Sequence, residues 1–264
     1  MLDRFSHSSI QTFKKCPAQF KFRYIDKIHK KDEGIEAFLG KRVHESIEYL
    51  YERVKSGHTP LLDEILKVHR SLWKEKWHSR IAIFHEHKTP RDYFSLGEEC
   101  IARYYRTHHP FKQNVISNEY EMVFLLDDDP AYKIKGIIDR IDHDGNGNWK
   151  IHDYKTGKRA LTQQAADKDH QLALYQIGLM NELEQVNSVQ LVWHFLQHGI
   201  QVESSRTEEG LSFVARQTKK EINNIRGRIK NGGKFEPKPM ILCNWCYYWE
   251  ECPAQSIPNP YIRN

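Results

Sequence analysis

One stretch, GIIDRIDHDGNGNWKIHDYKTGK at residues 136–158, restricts the fold of this chain more than any other. Its two halves have the composition of strands, and the DGNGN run between them is typical of a turn. Side chains alternate between the two faces of a strand, so Asp153 and Lys155 are expected on the same face. Asp139, on the preceding strand of this hairpin, is expected close to both.

Two carboxylates and a lysine at the end of such a hairpin suit metal-assisted phosphodiester hydrolysis. Asp139 and Asp153 offer hard oxygen ligands for Mg²⁺ or Mn²⁺. Such a metal polarises the phosphate and lowers the pKa of a bound water, and Lys155 would orient that water or neutralise developing charge. The alternative is a surface hairpin with an ion pair between Asp153 and Lys155. The preceding carboxylate strand and the following Thr156-Gly157 favour the catalytic interpretation.

The periodicity of the rest of the chain predicts helices around a mixed sheet. Ser8 or Ser9 is the expected N-cap of the first helix. Helices are expected at 8–24, at 37–55, over 59–110 with a break at Thr89-Pro90, at 168–184 and at 208–230, and strands at 115–126, 132–143, 149–155, 188–197 and 200–206. This order implies an α/β fold in which helices flank a mixed central sheet.

The charge of the chain is mildly basic and unevenly distributed. Lys and Arg outnumber Asp and Glu by 40 to 35, for a net charge of +5, which alone is a weak indication of nucleic-acid binding. Within residues 1–31, basic residues that include Lys14, Lys15 and Arg23 are interleaved with aromatic residues, as a DNA-binding surface requires. The alternative is a helix with a solvated basic face. Taken alone, the basic and aromatic pattern of residues 1–31 favours that alternative.

The chain has no apolar run near the roughly 20 residues that span a bilayer, and its start lacks a signal-peptide pattern. A cytoplasmic location without a membrane partner is therefore expected, and structural disulfides are not. Cys243, Cys246 and Cys252 are clustered as metal ligands are, and Cys16 could be a fourth. Such a set suits zinc or an iron–sulfur cluster, and spacing alone slightly favours zinc. Cys100 is expected to be a buried apolar thiol.

Six segments, in the order of the family, resemble the RecB-like exonuclease branch of the PD-(D/E)XK nuclease superfamily. GIIDRID, IHDYKTGK and the QLALYQ helix resemble the nuclease core. SHSSIQTFKKCPAQFKFRYID resembles the opening motif of that branch, LGKRVHESIEYLY its histidine-bearing helix, and CNWCYYWEECP its C-terminal cysteine motif. Only 57–130 is unmatched. The resemblance implies a restriction-endonuclease-like core with a helical insertion and a cysteine-rich tail.

The resemblance also implies roles for single residues. His44, Asp139 and Asp153 would bind the divalent metal together with the backbone carbonyl of Tyr154, and Lys155 would be the catalytic lysine. Without the resemblance, His44 reads as an ordinary histidine on a helix. Many members of the superfamily have glutamate where Asp153 stands, but aspartate is common in this branch.

Two further groups of residues take their roles from the same resemblance. Gln171 and Tyr175, one helical turn apart, match an element near the active site and the DNA. Relatives in this branch hold a 4Fe–4S cluster with one N-terminal and three C-terminal cysteines, which implies a cluster on Cys16, Cys243, Cys246 and Cys252. Such a cluster would tie the first helix to the C-terminal tail.

We therefore expect a single nuclease domain over 1–264, comprising N-terminal helices (1–56), a helical insertion (57–110), a catalytic core (111–231) and a cysteine-rich tail (232–264). Its expected activity is that of a DNA exonuclease on single-stranded ends in DNA repair, recombination or phage replication. The alternative is an accessory nuclease for CRISPR spacer acquisition or a nuclease subunit with a helicase partner. The long helical region favours the standalone enzyme.

Two patterns are set aside. GIEAFLGKR at 34–42 resembles a phosphate-binding loop but has the wrong spacing and lacks the final Ser or Thr. The pairs His85/His87 and His194/His198 lack a third ligand at a suitable spacing, so we expect solvated histidines.

Overall fold

A computed structural model describes residues 2–85 and 87–256. The chain divides into two compact units. The first comprises residues 1–32, 123–136 and 212–264, and the second comprises residues 33–122 and 137–211. The prediction of a single domain with four parts stays a prediction. No helix among the described residues is both long and apolar enough to cross a membrane.

Three long helices form one layer of the second unit. They are α3 (Ile35–Lys55), α4 (Leu62–Lys76) and α5 (Pro90–His108). Apolar residues at helical spacing on α3 are buried together with residues of α4 and α5, and the ring of Phe38 meets that of Trp73 edge to face at 4.9 Å. The helical region predicted at 59–110 therefore shares one core with α3. The predicted break is confirmed, since Pro90 begins α5.

Two short strands and the segment 34–42 also belong to the second unit. β1 (Glu33–Gly34) pairs in parallel with β2 (Ile81–Ala82), and neither strand was predicted. The segment 34–42 lies almost wholly within α3, as expected from its rejection as a phosphate-binding loop.

The main sheet has five strands in the order β3-β4-β5-β6-β7. Their bounds are β3 Val115–Leu126, β4 Asp129–His143, β5 Asn148–Lys155, β6 Ser188–Phe195 and β7 Ile200–Ser204. β4 is antiparallel to β5, β5 is parallel to β6, and β6 is antiparallel to β7. The predicted α/β fold with a mixed central sheet is confirmed.

The helix predicted at 168–184 is confirmed as α7 (Gln171–Glu182), which leads into β6. A short helix before it, α6 (Gln163–Asp167), was not predicted. α7 is buried over most of its surface, which suits a crossover between two parallel strands. The last long helix, α8 (Glu208–Lys230), has the predicted bounds.

In the first unit, the helix predicted at 8–24 is interrupted. α1 (His7–Lys15) ends before Cys16, α2 (Pro17–Phe20) follows, and a π-helical turn continues over Lys21–Ile25. Cys16 is extended because the residue before a proline is disfavoured in the helical region. The predicted N-cap at Ser8 or Ser9 was wrong, since the Ser6 side chain accepts the capping hydrogen bond from Ser9 N at 3.1 Å.

Candidate active site

The predicted catalytic residues of the second unit converge on the β4–β5 hairpin. The backbone N–H of Tyr154 donates a 2.7 Å hydrogen bond to Asp139 Oδ2. Lys155 Nζ lies 2.7 Å from Asp153 Oδ2, so these two side chains share a face of β5 as alternation requires. Both aspartates are largely buried, with 14% of the Asp139 side chain and 6% of the Asp153 side chain exposed.

His44 reaches the same place from α3. Its Nε2 donates a 2.8 Å hydrogen bond to the carbonyl oxygen of Tyr154. A carbonyl can only accept, so Nε2 carries a proton, and the other ring nitrogen, Nδ1, lies 3.6 Å from Asp139 Oδ2. The backbone of Tyr154 thus contacts both His44 and Asp139, one through its carbonyl and one through its N–H.

A glycine allows α3 to come this close. A Cβ added at Gly40, one turn before His44, would lie 3.1 Å from Thr156 Oγ1, just beyond the end of β5. Any larger side chain at Gly40 would therefore press against the chain that follows Lys155.

Sequence reasoning missed one carboxylate. Glu119 Oε1, on β3, lies 4.0 Å from His44 Nδ1, and one donor atom each from His44, Glu119 and Asp139 all lie within 4.8 Å of one another. The sequence does contain a signal that could have found it: the segment NEYEM places two glutamates, Glu119 and Glu121, on β3, which neighbours the strand that carries Asp139. What the sequence does not show is the positive φ of 45° at Glu119, which breaks the regular alternation of that strand.

Burial shifts the protonation of these carboxyls. Burial raises the pKa of Asp139 to about 6, with the charge of Asp153 adding to the shift and His44 opposing it. Burial and the charge of Asp139 raise the pKa of Glu119 to about 7. Burial alone would lower the pKa of Lys155, but Asp153 raises it above its usual value, so Lys155 is a cation at neutral pH.

The helix α7 contributes its first residue to the site. Gln171 Nε2 donates to Asp153 Oδ1 at 3.3 Å, and Lys155 Nζ donates to Gln171 Oε1 at 3.5 Å. Tyr175, one turn later, hydrogen-bonds Gln171 and is 9% exposed, and burial raises its pKa. Both residues therefore border the predicted catalytic pair.

Comparison with known proteins identifies the family. The family model of the PD-(D/E)XK nuclease superfamily matches residues 4–253. The chain belongs to the PD-(D/E)XK nuclease superfamily. The chain is thus a nuclease by family. Nucleases of this superfamily use divalent metals, and His44, Glu119 and Asp139 form a possible site for one.

One solved structure shares this fold. The chain is similar to the crystal structure of a proposed exonuclease from Eubacterium rectale, with a TM-score of 0.55 and 16% identity over 93% of this chain and 88% of that one. The structure named SSO0001 has a TM-score of 0.37 and 15% identity over 92% of this chain and 95% of that one, too low a similarity to support an argument. A search of curated proteins gave no match.

The cysteines of this PD-(D/E)XK nuclease follow two patterns. In the first unit, Cys16, Cys243, Cys246 and Cys252 line one small pocket. Burial raises the pKa of Cys246, and the charges of the other three sulfurs add to the shift. In the second unit, Cys100 is fully buried, which confirms the predicted buried thiol, and burial raises its pKa to about 11.

Three cations that the sequence suggested for DNA binding lie in the first unit of the nuclease. Lys14 Nζ lies 3.6 Å from Glu221 Oε1, and its side chain is 48% exposed. Lys15 and Arg23 are exposed, and the Arg23 guanidinium lies 5.4 Å from the centre of the Tyr24 ring. These positions agree equally with a DNA-binding surface and with a solvated basic face.

The expectation of solvated histidines was wrong for His194. His85, His87 and His198 are exposed, but His194 is 3% exposed and hydrogen-bonds His152 at 2.9 Å. Burial lowers the pKa of His194 well below its usual value, and the charge of nearby Arg140 adds to the shift.

Proposed function

We propose that this protein is a metal-dependent DNA exonuclease of the RecB-like branch that acts on single-stranded ends. The observation that carries the proposal is the convergence of His44, Asp139, Asp153 and Lys155 around the backbone of Tyr154. The name of the Eubacterium rectale relative supports exonuclease activity, since the two proteins share a fold over most of their length.

The donor atoms suit a divalent cation. His44, Glu119, Asp139 and Asp153, with the carbonyl of Tyr154, would hold Mg²⁺ or Mn²⁺, which prefer carboxylate and carbonyl oxygen. When bound, the cation polarises the phosphate and lowers the pKa of a coordinated water. Burial, with a neighbouring carboxylate adding to it, raises the pKa of Asp139 to about 6 and of Glu119 to about 7, and a bound cation would favour the ionised form of both.

The chain's own residues then place the reacting groups. Lys155 carries a positive charge held beside Asp153, which suits it to stabilise charge that develops on the scissile phosphate. Gln171 hydrogen-bonds both Asp153 and Lys155, so it would keep the lysine directed to the reacting phosphate. Tyr175 hydrogen-bonds Gln171 and is 9% exposed, so it would act on DNA mainly by holding Gln171 in place.

Binding to DNA would rest on phosphate contacts outside this centre. Lys14, Lys15 and Arg23 are accessible cations in a segment rich in aromatic residues, which suits a flexible strand with unpaired bases. The proposed biological setting is DNA repair, recombination or phage replication.

We propose in addition that Cys16, Cys243, Cys246 and Cys252 hold a 4Fe–4S cluster. The four residues line one pocket of the first unit. A tetrahedral zinc site with Zn–S bonds of ~2.3 Å brings its sulfurs to roughly 3.8 Å from one another. Zinc on the same four sulfurs is the alternative, and iron and zinc analysis of the purified protein distinguishes the two.

The test is cleavage of end-labelled single-stranded and double-stranded DNA with Mg²⁺ or Mn²⁺. We expect stepwise shortening of the single strand from one end, dependent on the metal. Products of internal cleavage from the first time point, or activity in excess chelator, would overturn the proposal.

A further inference from the structure

The strand that carries the proposed catalytic residues has a second, buried face. Asp153 and Lys155 point to one side of β5, and His152 and Tyr154 point to the other. The Tyr154 side chain is 4% exposed. Its backbone, by contrast, binds Asp139 and His44, so the position of this one residue affects both of those side chains.

Arg140 holds the Tyr154 hydroxyl. Its Nη1 donates to Tyr154 Oη at 3.0 Å and to Tyr104 Oη at 2.8 Å. The guanidinium also lies over the ring of Tyr51, 4.1 Å from its centre, and Tyr51 Oη lies 2.6 Å from Tyr104 Oη. Arg140 itself is 1% exposed.

Asp142 and two histidines fix the arginine in turn. Arg140 Nε lies 2.9 Å from Asp142 Oδ1, and Arg140 Nη2 donates to Asp142 Oδ2 at 3.1 Å. His152 Nε2 lies 3.0 Å from Asp142 Oδ2, and His152 Nδ1 lies 2.9 Å from His194 Nε2. The register places Arg140 opposite His152, so the network crosses from β4 to β5.

A buried ion pair of this kind is a weak source of stability. Moving both charges out of water costs as much as their attraction returns, so apolar residues of similar volume often serve stability equally well. A guanidinium has a different property: its donors are fixed in one plane, so it sets the geometry of several acceptors at once. This geometry explains the network better than stability does.

We propose that Arg140 is a positioning residue for the nuclease reaction, acting through the hydroxyl of Tyr154. By fixing that side chain, Arg140 holds the Tyr154 N–H and carbonyl where they bind Asp139 and His44. The inference rests on the proposed function, in which those two residues hold the metal. Arg140 lies on the face of the sheet opposite Asp153 and Lys155, so its effect on the reaction would be indirect.

The network is accessible to small molecules. A cavity of about 510 Å³ borders Arg140, Asp142, His152 and His194 on this face of the sheet. A guanidinium ion from solution can therefore reach the space that an Arg140→Ala variant would leave. Replacement by a small cation of the same planar shape is a direct test of a positioning role.

The experiment compares two tyrosine-to-phenylalanine variants in the second unit. Tyr154→Phe removes the hydroxyl that accepts from Arg140 and keeps the backbone groups. Tyr93→Phe is the matched control, because the Tyr93 hydroxyl donates to Glu36 at 2.9 Å and Tyr93 is equally buried. Mn²⁺ affinity is measured by calorimetry, and hydrogen exchange over residues 148–155 is measured without metal.

We expect Tyr154→Phe to weaken Mn²⁺ binding by on the order of 10-fold, as loss of a contact to a ligand-holding group does, and to speed exchange at the Tyr154 amide. Tyr93→Phe should change neither quantity. Arg140→Ala should show the larger defect, and methylguanidinium should restore Mn²⁺ binding where methylammonium at equal concentration does not. If Arg140→Ala does not fold, the Mn²⁺ affinity and hydrogen exchange of Tyr154→Phe, compared with those of Tyr93→Phe, test the proposal without it.

Unchanged Mn²⁺ affinity and unchanged exchange in Tyr154→Phe would overturn the positioning role. Failure of the proposed function gives a different result. A parent protein that binds Mn²⁺ but cleaves no DNA would refute the nuclease proposal and leave the comparison of affinities intact. A parent that binds no Mn²⁺ would still report on Arg140 through the exchange of β5.

Discussion

Gly40 lies against Thr156: a Cβ built on the glycine is 3.1 Å from the threonine hydroxyl. The contact joins the helix that carries His44 to the chain just after the catalytic strand. Gly40→Ala should therefore shift His44 away from Tyr154 and lower cleavage and Mn²⁺ affinity together. The change should not unfold the protein, because alanine inside a helix is favoured over glycine by about 1 kcal/mol.

Two controls separate this contact from a general effect. Adding Thr156→Ala to Gly40→Ala should recover most of the lost Mn²⁺ affinity, because it removes the atom in contact. Gly227→Ala, in α8 with no atom within 4 Å of the new Cβ, should stabilise the protein and leave cleavage unchanged. A Gly40→Ala protein with normal Mn²⁺ affinity would show that this approach of α3 does not position His44.

The raised pKa of Glu119 predicts how the stability of the metal-free protein changes with pH. This pKa is raised from 4.5 to about 7, so the folded protein holds that proton more tightly than the unfolded chain does. The stability of the metal-free protein should therefore fall as pH rises between these values. Glu119→Gln should remove part of this slope, which thermal unfolding of both proteins over that range would measure.

Bound metal should reverse this fall in stability with rising pH, because Mn²⁺ binds the ionised carboxylates and displaces their protons. Excess Mn²⁺ should therefore stabilise the parent protein more at pH 7 than at pH 5, and Glu119→Gln should show less of this gain. Glu121→Gln, two residues along the same strand, is the control and should behave as the parent does. Equal gains in the parent and in Glu119→Gln would place Glu119 outside the metal site.

The cysteine pocket predicts a brown protein with about four irons per chain. Replacing Cys16, Cys243, Cys246 or Cys252 by alanine should lower both iron content and thermal stability, because the tail would lose its attachment to the start of α2. Cys100→Ala should keep the iron. Anaerobic purification that yields stoichiometric zinc and no iron would contradict the assignment.

The proposed requirement for a free end predicts a difference between two forms of one substrate. Linear single-stranded DNA should be degraded, whereas closed circles of equal length should resist. Binding should weaken steeply as salt rises, since several phosphate contacts release counterions. Lys15→Ala should reduce that salt dependence slightly without changing the products. Nicking of circles as fast as linear strands would indicate an endonuclease.

The sequence predicted the catalytic hairpin because strand alternation is a local property. The residue spacing of Asp153 and Lys155 fixes their common face wherever the strand lies. The position of His44 could not be predicted in this way, because His44 and Tyr154 are 110 residues apart in sequence. Only the resemblance of its helix to a family motif indicated that His44 belongs to the site.

Features set by backbone exceptions or by distant neighbours were not predicted. Glu119 joins the site through a positive φ that composition does not encode. The break at Cys16 is different, because Pro17 disfavours helical backbone at the residue before it, and this local signal was outweighed by the apolar spacing that continues beyond it. His194 was expected in solvent because a histidine on a strand shows no sign of the buried partner, His152, that receives it.

The most direct test of the nuclease centre is cleavage of an end-labelled single strand by the parent, Asp153→Ala and Lys155→Ala proteins, with and without Mn²⁺. The parent should cleave only with metal. Asp153→Ala should lose Mn²⁺ affinity and activity together, whereas Lys155→Ala should keep Mn²⁺ affinity and lose roughly 10²-fold or more in rate. Both variants should still bind DNA, and Lys158→Ala, an exposed lysine nearby, should cleave normally. Near-normal cleavage by Lys155→Ala would contradict the account.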